Sequence, residues 1–496
     1  MLMKVKTKYG YVQGVPAETE GVAAFKGIPY ATPPVGELRW RAPRPVKPWE
    51  GTLNCDAYQA AAMQTKATIP FYVDEFPIDY SRIRISEDCL YLNVWTPAEA
   101  AGDKLPVMVY IHGGGNVTGF PHEPEHDGAF IAKKHVIYVN ITYRLNIFGF
   151  MAHPQLTEES GCNASGNYGL LDQLAALKWV RENIENFGGD PENVTVFGQS
   201  AGAGNVHVHC TSALSRGLFK RAISMSGSGV VSLMRASSLE TEEKKGLAFQ
   251  EAAACKSLKE LRELPEAMVL AYMLKSGINC SFCVDNYLLK EDPSQAIIEG
   301  RHHEIDYMVG SCANEGAAFG YGYRDTVEGV KSSVYNFFPG IAEKAWELCN
   351  IHSDRDAADC GLDVMADGAV YGTNYWAKLH NLYGRKPVYV YYFCHRIPDV
   401  DGNPSKEGAF HSGDLWYAHG TLKRSRRAFG EADVSLSDLL ISYFTNFSKN
   451  GDPNGEGLPE WTPYTGEQPC SMLLCSNPYM DTMEDNLGVL AVNSRD

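Results

Sequence analysis

Residues 187–202 read F-G-G-D-P-E-N-V-T-V-F-G-Q-S-A-G, so that the apolar, β-branched run Val194–Phe197 passes without a loop into Gly198-Gln199-Ser200-Ala201-Gly202. A serine held between two glycines at the end of such a run predicts a sharp strand-to-helix turn that lifts the Ser200 hydroxyl clear of a sheet. Glycine is needed at 198 and 202 because a side chain at either position would collide with the neighbouring strand or helix in so tight a turn. The same five residues could form an ordinary turn in a chain with 47 glycines. If the turn is the sharp one, Ser200 is a nucleophile and hydrolysis is the leading reading.

Upstream, Val107-Met108-Val109-Tyr110-Ile111 is a second apolar run, and it ends in His112-Gly113-Gly114-Gly115-Asn116. Consecutive glycines after a strand leave backbone N–H groups unshielded, free to point at an oxygen that turns negative in a transition state. The amides of Gly114 and Gly115, joined by that of Ala201, are the expected donors of an oxyanion hole. Losing one such donor typically costs about 2.7–4 kcal/mol of transition-state stabilisation. A serine nucleophile also needs a base, and the base needs a carboxylate to fix its tautomer and stabilise its cation. In an α/β-hydrolase arrangement these follow the serine in the order acid, then histidine. With 14 histidines and 60 carboxylates in the chain, order alone is a weak filter.

Taken together these segments resemble the type-B carboxylesterase family, which includes cholinesterases and bacterial para-nitrobenzyl esterases. The stretch 187–202 is similar to its nucleophile signature, and Glu87-Asp88-Cys89-Leu90-Tyr91-Leu92-Asn93-Val94 resembles its second signature. Further matches are Gly27-Ile28-Pro29-Tyr30-Ala31 with Pro33-Pro34-Val35-Gly36, Tyr143-Arg144-Leu145, and Gly166-Asn167-Tyr168-Gly169-Leu170-Leu171-Asp172-Gln173. The similarity covers most of the chain and is densest up to about Ser228. It implies that Glu315, in Gly310-Ser311-Cys312-Ala313-Asn314-Glu315-Gly316, is the triad acid. It likewise implies that His411, in Gly408-Ala409-Phe410-His411-Ser412-Gly413-Asp414-Leu415, is the base. His419 is the nearest rival and lacks the matching context. Ser226 falls where relatives place a serine near the acid.

Several positions depart from the family pattern. Asn314 stands where relatives more often carry aspartate, and Gln199 replaces the glutamate that commonly precedes the nucleophile, removing one negative charge beside Ser200 and His411. Asn116 replaces a frequent aromatic residue, which predicts a more polar pocket wall; Asn116 and Phe319 are the expected pocket residues. The loop Met63–Ser86 holds Phe71, Tyr72, Phe76 and Tyr80 but lacks the tryptophan with which choline-specific relatives would bind a quaternary ammonium. The implied reaction is therefore hydrolysis of short-chain or aryl carboxylic esters through an acyl-enzyme, without a cofactor. Feruloyl-type esters and carbamates remain open, as does a non-catalytic binding protein on the same fold.

The fold expected is α/β: an α/β-hydrolase fold with a large, mostly parallel central sheet, helices on both faces and a small N-terminal antiparallel hairpin over Val5–Val15. Short apolar strands (Val107–Ile111, Val136–Ile141, Val194–Phe197) alternate with helical stretches such as Asp172–Phe187, as such a sheet requires. Residues 1–496 read as a single domain, with a mainly helical insertion at about 320–385 lying over the carboxyl ends of the strands. A net charge of −16 disfavours nucleic acid and anionic membranes as partners. The small-molecule ester is the expected partner, and the sequence leaves the oligomeric state open. The amino terminus carries no apolar signal core and no run approaches a membrane span, so cytoplasmic residence is expected.

Thirteen cysteines cannot all pair within one chain. The upstream partner that secreted relatives supply for the cysteine matching Cys89 is replaced by Ala62, although Cys55 is near enough in sequence to substitute. Cys280-Ser281-Phe282-Cys283 has metal spacing without a second ligand pair, and His207, His209 and Cys210 face different sides of one helix. No metal site is assigned.

Overall fold

In the computed structural model, seven strands lie side by side and parallel, in the order Ile137–Ile141, Leu105–Ile111, Gly189–Gln199, Arg221–Met225, Asp306–Cys312, Val388–Phe393 and Ser471–Leu474. Antiparallel strands extend both edges: Tyr91–Thr96, Ala23–Pro29 and Val15–Pro16 on one side, Tyr479–Asp481 on the other, for eleven in all among the described residues. The structure describes residues 1–66, 69–227, 230, 235–320, 324–337, 342–360, 363–384 and 386–483.

Period-two alternation decides what each strand faces. Val107, Val109 and Ile111 join Val196, Ala222 and Val309 in one layer with Leu177 and Val180 of the helix Tyr168–Asn183, Val206 of Ala201–Thr211 and Trp376 of Val364–Tyr383. Met108 and Tyr110 point the other way, with Phe197, Ile223 and Met308, onto Leu440, Phe444 and Phe447 of the helix Glu431–Asn450. Helices on both faces leave every residue of the inner strands Ile137–Ile141, Arg221–Met225 and Asp306–Cys312 buried. This is why these strands read as near-continuous apolar runs.

Three elements differ from the sequence reading. The amino-terminal hairpin, Lys4–Lys6 against Tyr11–Gln13, is joined by Thr52–Asn54 running parallel to its second strand, so the small sheet is mixed and three-stranded. The strand before Ser200 begins at Gly189, ahead of Val194, because Gly189 pairs with Leu105 before the register shifts. The helix expected from Asp172 begins at Tyr168 instead. Asp172 is fully buried one turn inside, where its carboxylate takes the backbone N–H, Nε and Nη2 of Arg144 at 3.1, 2.7 and 2.7 Å.

The region 320–385 carries the helices Val327–Phe337, Ala342–Cys349, Asp354–Cys360 and Val364–Tyr383; residues 321–323, 338–341, 361–362 and 385 lie outside the described ones. Among the described residues no helix is long and apolar enough to cross a membrane. Cys55 and Cys89 are both buried free thiols.

Candidate active site

The loops that matter leave the carboxyl ends of four neighbouring parallel strands, where ligands bind in sheets of this kind. Ile111 leads into the glycine loop, Gln199 into Ser200, Met225 into Ser226 and Cys312 into Glu315, and the register keeps the four ends level: Ile111 pairs with Gly198, Gln199 with Met225, and Met225 with Gly310.

Ser200 sits at φ 56°, ψ −125°, between the strand Gly189–Gln199 and the helix Ala201–Thr211. A non-glycine residue held there stores of order 1–3 kcal/mol of strain, which the surrounding structure must impose. It does so through the Ser200 N–H, which donates to the Met225 carbonyl at 2.9 Å, and the Ser200 carbonyl, which accepts from the Gly204 N–H at 3.0 Å. A Cβ on Gly202 would come within 2.1 Å of the Ile111 carbonyl oxygen, and one on Gly198 within 2.6 Å of the Gly202 backbone. The steric reason for both glycines is thus met by backbone that cannot move aside.

Gly114 and Gly115 both adopt left-handed φ, 95° and 66°. Their loop is pinned by the Val117 and Thr118 N–H groups, which donate to the Gly114 carbonyl at 3.0 Å, and by Gln64, whose amide exchanges bonds of 2.8 and 3.0 Å with Gly119. Within the described residues the amides of Gly114, Gly115 and Ala201 donate to no protein acceptor, and all three residues line one cavity of about 490 Å³.

Ser200, Glu315 and His411 line that same cavity. Glu315 and His411 are 1% and 4% exposed, and Nδ1 of His411 is hydrogen-bonded to Oε2 of Glu315. Oε1 of Glu315 accepts the Cys312 N–H at 2.8 Å, so both carboxylate oxygens are engaged. Nε2 of His411 takes the side-chain amide of Gln199 at 3.2 Å, and its hydrogen bond in this state is to that amide rather than to Ser200. Gln199, read from sequence as a lost charge, is therefore in direct contact with the imidazole.

Asn314, the other departure, ties the acid loop to the histidine loop. Its N–H donates to the Ala409 carbonyl at 2.9 Å and its Oδ1 accepts the Ala409 N–H at 3.0 Å. The Gly316 N–H reaches Asp363, which also caps the helix Val364–Tyr383. Burial pushes the carboxyls of Asp363 and of neighbouring Asp414 up to about 7, with the charge of Glu315 adding to both shifts. The Tyr72 hydroxyl donates to the His411 carbonyl at 3.0 Å, a contact between segments too distant in sequence to foresee.

Phe319 lines the cavity, its ring 5.3 Å from that of His411. Asn116 does not. Its side chain turns away to exchange amide bonds of 2.8 and 3.2 Å with Asn205 and to accept from Tyr143 at 3.3 Å, and Val117 and Thr118 form the wall instead. An amide buried to 5% exposure needs partners, and these lie below the loop. Ile69, Tyr72, Phe76, Ile78 and Tyr80, from the loop that lacks tryptophan, close another side. The Ser226 hydroxyl donates to the Cys312 sulfur at 3.7 Å rather than to Glu315. His419 is fully buried against Phe197 and bonded to the Leu415 carbonyl. His207 and His209 bond to different partners, Gly227 and Tyr307 against Ser215 and Gln173. Glu123, Glu125 and His126, which sequence reasoning passed over, form another wall of the cavity.

Comparison with known proteins agrees with this architecture. A model of the carboxylesterase family matches residues 2–487. The liver carboxylesterase of Sus scrofa is 35% identical over 516 residues, covering 94% of this chain and 88% of that protein. The medium-chain fatty acyl-CoA hydrolase precursor of Anas platyrhynchos is 33% identical over 504 residues, covering 93% and 86%. The crystal structure of the Geobacillus stearothermophilus carboxylesterase EST55 superposes with a TM-score of 0.82 at 29% identity, covering all of both chains. The chain belongs to the carboxylesterase family and is a serine-type carboxylic ester hydrolase of the α/β-hydrolase fold.

Proposed function

We propose that Ser200, His411 and Glu315 form the catalytic triad of this hydrolase, that the amides of Gly114, Gly115 and Ala201 form its oxyanion hole, and that it acts on short-chain or aryl esters. The observation that carries the reading is the Glu315–His411 bond beside a strained Ser200 in one cavity. With Nδ1–H committed to Glu315, the lone pair of His411 lies on Nε2, the atom that must accept the serine proton.

His411 exchanges its Gln199 contact for the Ser200 hydroxyl as substrate enters, since such bonds commonly tighten only in the substrate complex. Nε2 takes the hydroxyl proton while Oγ attacks the ester carbonyl, and the carbonyl oxygen, now negative, is held by the three free amides. The tetrahedral intermediate collapses, the imidazolium returns its proton to the departing alcohol, and an acyl-Ser200 ester remains. Water then adds by the same route, releasing the acid and regenerating the serine. The aromatic and aliphatic residues around the cavity suit a small apolar acyl or aryl group.

A fluorophosphonate probe tests the assignment. Stoichiometric labelling of the purified protein, abolished in Ser200→Ala, is the expected result. Labelling at another residue would overturn the assignment of Ser200, and no labelling in a protein that hydrolyses no para-nitrophenyl ester would return the chain to a binding role on this fold. Rates along a series of para-nitrophenyl esters should peak at short acyl length.

A further inference from the structure

One stretch of the cavity wall is unlike the rest. Glu123, Glu125 and His126 place a ligand atom each within 4.8 Å of one another, and all three face the cavity that holds Ser200. Three other deeply buried acids face arginines: Glu75 meets Arg427 at 2.7 Å, Glu87 meets Arg39 at 2.5 Å, and Asp172 meets Arg144 at 2.7 Å. Among the described residues no arginine or lysine is paired with Glu123 or Glu125: His126 lies 3.7 Å from each, and the two carboxyls hydrogen-bond to one another. Burial, with His419 and His112 nearby, holds His126 well below its ordinary range and so neutral. Oε2 of Glu125, a residue only 2% exposed, meets no N–H or hydroxyl donor among the described residues. Two buried carboxyls that have only each other and a neutral imidazole lack the cation that would let both ionise.

We propose that Glu123 and Glu125 form a subsite for a protonated primary or secondary amine carried by the ester substrate. The proposal rests on Ser200 being the reacting group, because it is the shared cavity that makes the occupant part of a substrate. The occupant is an N–H donor rather than a metal ion because both nitrogens of His126 are already engaged, Nδ1 with the Phe120 carbonyl and Nε2 with the Tyr110 hydroxyl, each at 3.2 Å. That leaves two carboxyl groups, which match an ammonium group's several N–H donors and its charge. Burial pushes the Glu123 carboxyl up to about 7 and that of Glu125 well above its ordinary range, so the empty pair retains a proton; the ammonium takes that proton's place and the proton leaves to solvent.

The test is competition against hydrolysis of the neutral ester para-nitrophenyl acetate, using butyl-, hexyl- and octylammonium chloride beside the alcohols of equal length. At the best-fitting length the ammonium should inhibit at about ten-fold lower concentration than its alcohol, as a hydrogen bond to a buried charge implies. Hexyltrimethylammonium, which has no N–H, should lose that advantage. The ammonium-to-alcohol ratio should fall toward one in Glu125→Gln, with Glu123→Gln as the second variant. Equal inhibition by amine and alcohol in the wild-type protein would overturn the proposal, and so would calorimetric binding of zinc chloride that depends on Glu125 and excludes the amine. Should the wild-type protein hydrolyse no neutral ester, the esterase assignment fails by itself; calorimetry with hexylammonium and with hexanol still reads the subsite.

Discussion

Replacing Glu315 by Gln should abolish turnover by forcing the wrong tautomer on His411, and the geometry shows why the amide cannot escape this. The two oxygens of Glu315 have separate tasks: Oε1 accepts the Cys312 N–H at 2.8 Å and Oε2 binds Nδ1 of His411. Glutamine has only one oxygen. If that oxygen stays with Cys312, the NH2 group faces Nδ1, the imidazole proton moves to Nε2, and the base has no lone pair for the serine. If instead the oxygen turns to Nδ1, two donors meet at Cys312, leaving a buried backbone N–H unpaired at a cost of about 1–3 kcal/mol. The first arrangement wins, because the Gln199 amide can turn its oxygen to the new Nε2–H whereas the Cys312 N–H is fixed in the backbone. Loss of the correct tautomer in a serine–histidine–acid site lowers kcat by roughly four orders of magnitude, or about 5 kcal/mol at 1.36 kcal/mol per decade. The assay is steady-state hydrolysis of para-nitrophenyl butyrate, with a thermal melt to show that the variant folds. Glu315→Asp, which keeps the tautomer and sacrifices only reach, should fall between wild type and Glu315→Gln. A folded Glu315→Gln protein that keeps more than roughly 1% of kcat would refute the reasoning. It would redirect attention to Asp414, whose carboxyl is fully buried nearby.

Three further outcomes follow from contacts around the site. Gly202→Ala places a Cβ 2.1 Å from the Ile111 carbonyl, between two backbones that cannot yield, and should cost about 3 kcal/mol or more, read as a fall in Tm or loss of soluble protein. Asp172→Asn strands the buried Arg144 guanidinium and should cost about 3–5 kcal/mol in denaturant unfolding, while the double replacement Arg144→Met with Asp172→Leu should cost less than either single change. Asp414 holds its proton to about pH 7 when folded but loses it near 3.8 when unfolded, so the native state binds the extra proton between those values and stability falls as pH rises through them. Asp414→Asn should remove that fall, leaving a flatter curve of unfolding free energy against pH.

Much of this site was legible because its chemistry is local. Gly198 and Gly202 flank Ser200 in a turn too tight for side chains, and Gly114 and Gly115 adopt the left-handed φ that glycine allows; both show in the sequence as glycines at fixed places a few residues apart. The parallel strands were legible for a similar reason, since burial on both faces writes a continuous apolar run. What could not be read depends on partners distant in the chain. The helical stretch read from Asp172 starts a turn earlier, at Tyr168, and Asp172 is the buried counter-ion of Arg144. Asn116 was placed on the cavity wall by the resemblance to relatives with an aromatic residue there, yet at a left-handed φ of 58° its amide bonds to Asn205. Thr52–Asn54 joins the amino-terminal hairpin only because the chain returns, and Glu123 and Glu125 become a cavity wall only once His411 and Ser200 are folded opposite them. Sequence motifs named the groups proposed to react, whereas their surroundings were set by tertiary contact.

Gln199 is the case where that distinction has kinetic consequences. Read as a residue type, it is the loss of one negative charge. In place, its amide N–H occupies Nε2 of His411, the lone pair on which the proposed proton transfer from Ser200 depends. A carboxylate could not make this contact with a neutral imidazole, because it has no proton to donate. The resting enzyme is thereby stabilised by a hydrogen bond that must break before the base can act, and a bond of this kind is worth about 0.5–1.5 kcal/mol net. Gln199→Met, close in volume at a position only 3% exposed, removes the donor without opening a cavity. It should raise kcat for para-nitrophenyl butyrate by about two- to ten-fold, the rate equivalent of that bond, provided acylation limits turnover. Pre-steady-state measurement of the acylation burst isolates the step concerned. An acylation rate that falls in a folded Gln199→Met protein would show that the amide orients the imidazole rather than competing for it.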